Sequence, residues 1–461
     1  MTHVLLVFLA WLLILAGPCV VAAERPNIVM VLADDLGWGE LGCFGNPRAI
    51  TPNLDRFATE GVRLTDCHSA SSVCSPSRSA ILTGRIPYRN GVFTWIPDGS
   101  PIHLRADGRT LPALLAAAGY DTCHVGKWHL NGLFNSPEQP QPSDHGYDWW
   151  LGTQNNAAPS HDHPTNFIRN GQPVGRADDY SAAFVVSEAI GWMQKRSDAS
   201  APFFLAIWTH EPHFPIASAD RFEKLHAAVD DAAERTYLAN VTQLDDAFGR
   251  LMKALDSMNL RDDTLVIFTS DNGPEGHGTK GPGRGVTGGL RGRKRSMYEG
   301  GHRVPGIIRW PGHIAAGTTS DVPVIGTDLF PTALQAAGVP VPPATNLDGV
   351  SRVPLFVGET LERTRPLVWR WGNHIAYREG DWKIVADDPT ANAELYNLAD
   401  DRAERSNLAT GQPDRLAGML TRLRAYLSEV EAEGPDWWKT EPMNPVEVRS
   451  PPTAAPAAAG P

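Results

Sequence analysis

Four apolar runs, each ending in polar or charged residues, restrict the fold of this chain more than any other feature. The first, Ile28-Val29-Met30-Val31-Leu32-Ala33, follows Pro26-Asn27 and leads into Asp34 and Asp35. Thr122-Cys123-His124-Val125 leads into Gly126-Lys127-Trp128-His129, and Phe203-Phe204-Leu205-Ala206-Ile207-Trp208-Thr209 into His210. Leu265-Val266-Ile267-Phe268-Thr269-Ser270 leads into Asp271-Asn272-Gly273. Apolar runs without alternation suit strands buried on both faces, as in the centre of a parallel sheet. Helical patterns separate them, at Asn53 to Glu60, Leu111 to Ala118, Ser181 to Lys195 and Ala227 to Met258. Strands alternating with helices predict an α/β fold with a large, mostly parallel sheet flanked by helices. Ligands bind such sheets beyond the carboxyl ends of the strands. The four polar clusters are therefore expected to share one site.

Asp34, Asp35, Asp271 and Asn272 offer only oxygen donors, the chemistry of a hard cation such as Ca²⁺ or Mg²⁺. A second stretch, Ser71-Ser72-Val73-Cys74-Ser75-Pro76-Ser77-Arg78-Ser79-Ala80-Ile81-Leu82-Thr83-Gly84-Arg85, reads as a short helix ended by Gly84. Cys74 then starts the helix, where free backbone N–H groups favour an anion, and Arg78 follows one turn later on the same face. One reading is a sulfur nucleophile, or a derivative of it, facing an anionic substrate. The other is a buried cysteine packing as a small hydrophobe.

With 461 residues the chain can bury a large core. Its net charge of −11 argues against nucleic-acid binding, so any anionic ligand must be held by local positive charge. The stretch from Arg284 to Arg303 supplies a local excess, and is expected to hold anionic groups. The apolar run Val4 to Ala16, broken by Gly17-Pro18 and followed by Val21-Ala22-Ala23, reads as a signal peptide over residues 1–23. Export to a periplasmic or extracellular space follows, with no span embedded in a membrane. Cys43 and Cys67 are spaced so that a disulfide is permitted, though not required. Residues 135–178 and 273–301 read as long irregular loops. From about Arg363 short antiparallel strands (Leu367 to Trp369, His374 to Arg378, Trp382 to Val385) precede a helix from Pro413 to Glu433. A catalytic domain over residues 24–362, a smaller α+β subdomain over 363–440 beside the main sheet, and a Pro/Ala-rich tail over 441–461 are expected.

These motifs resemble those of the type I, formylglycine-dependent sulfatases, with the closest likeness to N-acetylgalactosamine-6-sulfatase-like and bacterial polysaccharide sulfatases. Cys74-Ser75-Pro76-Ser77-Arg78 with Thr83-Gly84-Arg85 matches the family signature C-x-P-x-R and T-G-R. Asp34-Asp35 with Gly37-Trp38-Gly39, Gly126-Lys127-Trp128-His129, Thr209-His210-Glu211-Pro212, Ser270-Asp271-Asn272-Gly273 and Leu290-Arg291-Gly292-Arg293-Lys294 match further family segments. The resemblance implies an alkaline-phosphatase-like fold and a formylglycine made from Cys74 by a maturation enzyme. It implies a cation, Ca²⁺ before Mg²⁺, held by Asp34, Asp35, Asp271, Asn272 and residue 74. It also implies that Arg78, Lys127 and Lys294 offset charge on the sulfuryl group. His129 then serves the formylglycine diol, and His210, with Lys294, protonates the leaving alcohol. Asn156 and His374 are candidate substrate contacts, and the implied substrate is a sulfated carbohydrate. Three alternatives stay open: a small-molecule arylsulfatase, a phosphoesterase of the same superfamily, and an unmatured glycan-binding protein. Oligomeric state is not readable from the sequence.

Overall fold

Residues of the apolar runs alternate between two cores, so both faces of the sheet are covered. On one side Val29, Val31, Leu205, Ile207, Val266 and Phe268 pack against Leu54, Phe57, Val185, Val241 and Leu244. These partners come from the helices Pro52–Glu60, Ser181–Gln194 and Ala232–Ser257. On the other, Ile28, Met30, Leu32, Phe204, Ala206, Leu265 and Ile267 meet Leu82, Leu111, Leu115 and Leu334. Those lie on the helices Cys74–Thr83, Leu111–Ala117 and Leu329–Ala336. Each such side chain contributes about 1.5–3 kcal/mol on burial, so a charge cannot enter before the strand leaves the sheet.

The computed structural model describes residues 25–433, apart from 197, 199, 277–283, 344, 357, 360–362 and 388–390. The expected signal peptide and the Pro/Ala-rich tail lie outside the described residues. Strand order across the main sheet is Thr318–Ser320, Val62–Leu64, Gly306–Arg309, Thr264–Ser270, Asn27–Ala33, Phe203–Trp208, Asp121–Lys127, Trp149–Thr153, Phe167–Arg169 and Gln172–Gly175. From Thr264–Ser270 to Trp149–Thr153 all neighbours are parallel. Gly306–Arg309 and the last two strands run antiparallel to their neighbours. The expected α/β architecture is therefore present, with a mixed periphery.

Several boundaries differ from expectation for identifiable reasons. The long helix begins at Ala232, because the Asp231 carboxylate caps it by accepting the Glu234 N–H at 3.0 Å. Residues 220–226 form separate short turns, Asp220–Glu223 and Lys224–His226. Three of the sheet's strands lie within residues 135–178, which the sequence suggested to be loop. Trp149–Thr153 escapes notice because it is short and interrupted by Gly152. Cys43, Cys67, Cys74 and Cys123 are all free, so the permitted disulfide is not formed; the Cys67 sulfur lies 3.9 Å from the Thr269 hydroxyl.

The C-terminal strands form a sheet of their own rather than extending the main one, and a fourth strand, Ala391–Asn397, joins the three expected. One face, with Ile375, Tyr377, Ile384 and Leu395, packs on Met419, Leu423 and Leu427 of the helix Pro413–Glu433 and on Ile86, Phe93 and Ile96. The other, with Trp369, Ala376 and Tyr396, packs on Ala70, Ala80 and Met297. The small sheet thus buttresses the segments on either side of Cys74 and Lys294. A buried charge network reinforces the contact. Lys383 reaches Glu299 at 2.9 Å and Glu404 at 2.8 Å, while Arg378 and Arg303 pair with Asp66 at 2.7 and 3.0 Å.

Candidate active site

Strand register brings the polar clusters level. Ala33 pairs with Ser270, Leu32 with Trp208, and Gly126 also with Trp208. Asp34 and Asp35 therefore emerge beside Asp271 and Asn272 on one side and near Lys127 on the other. Cys74 opens its helix from the adjacent layer, and Gly84 closes it at φ +68°, its N–H bonded to Ala80 O at 2.8 Å. The left-handed backbone at that turn is the conformation glycine adopts without penalty. The Cys74 sulfur lies 3.7 Å from Asp34 Oδ1.

Ion pairs tie these groups together, all of them buried. Lys127 Nζ is 2.7 Å from Asp34 Oδ2, and Lys294 Nζ is 2.7 and 2.9 Å from the two oxygens of Asp35. Arg78 donates to Asp271 Oδ2 through Nε at 3.2 Å and through its terminal nitrogen at 2.6 Å, and to the Lys127 carbonyl at 3.2 Å. Asn272 Nδ2 donates to Asp35 Oδ1 at 2.6 Å. Burial pushes the Asp34 carboxyl up, but Lys127, His213, Arg78 and Lys294 outweigh it and hold Asp34 well below the usual range. Asp35 goes the other way, to about 7, because burial and the neighbouring Asp34 and Asp271 exceed the pull of Lys294. Burial also pushes the Cys74 thiol up to about 12 despite Lys127 and Lys294, so the sulfur is a neutral thiol here.

The carboxylate and amide oxygens of Asp34, Asp35, Asp271 and Asn272 suit a hard divalent cation. Ligand atoms of Asp34, Asp35, Cys74 and His213 all lie within 4.8 Å of one another. Asn272 Oδ1 is buried and has no hydrogen-bond partner, so one oxygen acceptor is left over where the carboxylates converge. An orphaned buried acceptor is rare enough to require a ligand or a compensating group.

Of the residues anticipated from sequence, Cys74, Arg78, Lys127, Lys294, Asp34, Asp35, Asp271 and Asn272 form this one connected set. His129 is buried at the strand end; its Nε2 meets Ile96 O at 3.1 Å and its Nδ1 has no partner. His210 is held between two hydroxyls. Its Nε2 faces the Thr153 hydroxyl at 2.8 Å, and that hydroxyl itself donates to Asn155 O at 2.6 Å. The Ser181 hydroxyl occupies Nδ1 at 2.8 Å. Bond bookkeeping therefore assigns Nε2–H to Thr153 and the Nδ1 lone pair to Ser181.

His213, which the sequence reading passed over, lies beside the carboxylates. Its Nε2 lies 3.6 Å from Asp35 Oδ2, and its Nδ1 donates to Phe214 O at 2.5 Å. The available signal was Pro212-His213-Phe214-Pro215, a histidine bracketed by prolines just past the strand end. Glu275 was also missed; it lies 3.3 Å from Lys294 and 2.7 Å from Arg295. His374 is exposed and bonded to Asp387 at 2.9 Å, but it lines a cavity of about 440 Å³ whose wall includes Lys294, Arg295 and Tyr298. Asn156 is half-buried, with its Oδ1 unpaired. The expected anion-binding excess between Arg284 and Arg303 is largely spent inside the protein. Arg293 bonds the Glu275 and Gly285 carbonyls, Arg295 pairs with Glu275, and Arg303 pairs with Glu299 and Asp66.

Residues 26–339 match the Sulfatase family, and residues 292–433 match the family described as N-sulphoglucosamine sulphohydrolase, C-terminal. The N-acetylgalactosamine-6-sulfatase of Rattus norvegicus is 34% identical over 386 residues, covering 76% of this chain and 69% of that one. Arylsulfatase A of Homo sapiens is 33% identical over 479 residues, covering 90% of each. Among solved structures, i-CgsB in complex with k-i-k-neocarrahexaose superposes with a TM-score of 0.80 at 28% identity, covering 87% of this chain and 93% of that one. With a match across most of its length and with relatives this similar, the chain belongs to the sulfatase family.

Proposed function

We propose that this sulfuric ester hydrolase removes sulfate from the sugars of a sulfated glycan, with residue 74 matured to formylglycine and a Ca²⁺ ion held beside it. The observation that carries the reading is the convergence of Cys74, Asp34, Lys127 and Asp271–Arg78 from separate segments into one buried cluster. A hydrolase named for a sulfated sugar among the relatives, and a neighbour complexed with a carrageenan-type hexasaccharide, support the choice of substrate. The charge-poor N-terminal apolar run supports export to the periplasm or the extracellular space.

Asp34, Asp35, Asp271 and Asn272, with residue 74, would hold the cation. When present, the cation and a formylglycine supply charge compensation and a geminal-diol nucleophile at this point. The chain's own groups do the rest. Arg78 orients Asp271 through two donors, so it positions a ligand carboxylate. Lys127 and Lys294 stand where two ammoniums can offset charge on sulfuryl oxygens, in a buried setting where such preorganised charge acts most strongly. His129 presents a partnerless Nδ1 as a base for a hydroxyl proton. His213 presents Nε2 to the leaving alcohol, with its other nitrogen fixed by Phe214 O. An anionic sulfate ester arriving opposite that ring favours its protonated form. The strand ends of the main sheet carry the chemistry, and the small C-terminal sheet braces it and borders the cavity beside Lys294.

The test is desulfation of a panel of defined sulfated oligosaccharides, beside matched phosphate esters, by protein co-expressed with a formylglycine-generating enzyme. Sulfate release with residue 74 in a peptide about 18 Da lighter than cysteine is the expected outcome. A preference for phosphate, or full activity with an intact thiol at residue 74, overturns the proposal.

A further inference from the structure

A second cavity lies apart from the site above. It has a volume of about 790 Å³ and lies at the opposite, amino ends of the strands, where Asp121 begins Asp121–Lys127 and Trp149 begins Trp149–Thr153. The first of those strands carries Lys127 at its other end. With seven residues at about 3.3 Å each, the two places are roughly 20 Å apart.

Two half-buried indoles, Trp149 and Trp192, face this cleft. Between them the side chains are held in fixed positions. Glu188 accepts from Trp149 Nε1 at 3.1 Å and from Arg169 at 2.8 and 2.6 Å. The lining carries four carboxylates (Asp121, Asp148, Asp178, Glu188) and three cations (Arg169, Lys195, Arg196), a sum of −1. That balance offers hydrogen-bond donors and acceptors but no net attraction for a sulfated unit.

A separate observation points to an occupant. Gly191 lies inside the helix Ser181–Gln194 and lines the same cleft, and a Cβ built there meets nothing within 4 Å. Glycine inside a helix costs about 0.5–1 kcal/mol relative to alanine. No neighbour requires its small size and its backbone is not left-handed, so nothing within the fold explains it. A residue kept small on the cleft side of the helix leaves room for something outside the chain.

We propose that this cleft is a second, non-catalytic binding site for an uncharged stretch of carbohydrate chain. The C–H faces of sugar rings would stack on Trp149 and Trp192, the hydroxyls would pair with Glu188, Arg169 and Asp148, and Gly191 would leave clearance for the chain. The proposal rests on the glycan-directed reading of the active site and extends it. The cleft retains the polymer through its unsulfated or already desulfated units, while a sulfated unit some distance along occupies the catalytic pocket. Tethering of this kind raises the local concentration of sulfated units without any new catalytic contact.

The experiment uses the full, matured protein. Binding of agarohexaose, cellohexaose and mannohexaose, and of a sulfated galactan hexasaccharide, is measured by calorimetry with excess inorganic sulfate, the reaction product, occupying the catalytic pocket. Kinetics on 4-nitrophenyl sulfate run alongside. At least one uncharged hexasaccharide is expected to bind more tightly than the sulfated one. Gly191→Leu and Trp192→Ala should each weaken that binding at least tenfold, with kcat/KM on 4-nitrophenyl sulfate within twofold of the parent. Gly191→Ala adds a control that cannot simply misfold: it should raise the unfolding temperature while weakening the sugar. Absence of binding by every uncharged hexasaccharide, or equal binding by the parent and Gly191→Leu, overturns the proposal. Aryl sulfate turnover in the same samples shows separately whether the sulfatase reading stands.

Discussion

Replacing His213 by alanine separates the two histidines that compete for the leaving-group role. His213 Nε2 lies 3.6 Å from Asp35, beside the Lys294 ammonium, whereas both nitrogens of His210 are taken by Thr153 and Ser181. Loss of a positioned general acid costs about 10²–10⁴ in rate, or roughly 2.7–5.4 kcal/mol of transition-state stabilisation. That loss appears only where the leaving oxygen needs a proton. A sugar alkoxide does, while a nitrophenolate leaves unprotonated. His213→Ala is therefore expected to lower kcat/KM about 10³-fold on a sugar sulfate and less than about tenfold on 4-nitrophenyl sulfate. His210→Ala removes two buried hydrogen bonds and strands the Ser181 hydroxyl, at about 1–3 kcal/mol for the group left unsatisfied. It should lower the unfolding temperature and reduce both activities by a similar factor. Paired measurements of kcat/KM on the two substrates, with thermal unfolding of each variant, decide the matter. Equal losses for His213→Ala on both substrates, or a sugar-selective loss for His210→Ala, would refute the assignment.

Chelation is expected to abolish activity and lower the unfolding temperature, and Ca²⁺ at a hundredfold excess over its Kd should restore about 2.7 kcal/mol, readable by calorimetry. Lys383→Met leaves Glu299 and Glu404 facing each other in a buried joint. It should cost about 3–5 kcal/mol in denaturant unfolding. Glu40 is raised to about 8, by burial before all else and against hydrogen bonds from Tyr237 and Val286. The folded state then holds a proton that the unfolded chain releases above its ordinary carboxyl range. Stability should fall as pH rises toward 8, by up to about 1.4 kcal/mol per unit. Glu40→Gln removes this slope, and unfolding curves from acid to mildly basic pH read the difference.

The parallel core was legible because its strands are buried on both faces. Ile28 to Ala33 could only be what it is, and the polar residues after it had to emerge at a strand end. The same logic placed Asp34, Lys127 and Asp271 together, since register between parallel neighbours levels their carboxyl ends. What the sequence could not show was the destination of side chains whose partners arrive from far along the chain. The arginines after Arg284 look like an anion site when counted locally. Glu275, Glu299 and Asp66, together with the Gly285 carbonyl, claim most of them once the fold closes. His210 and His213 pose the same difficulty at shorter range. Both follow one strand and they lie three residues apart, so position alone does not choose between them. The choice is made by Thr153 from a neighbouring strand and Ser181 from a helix start, which capture both nitrogens of the first ring and leave the second facing the carboxylates. Strand-end position therefore nominates a catalytic group, and the hydrogen-bond acceptors and donors supplied by other segments decide whether that group is free to act.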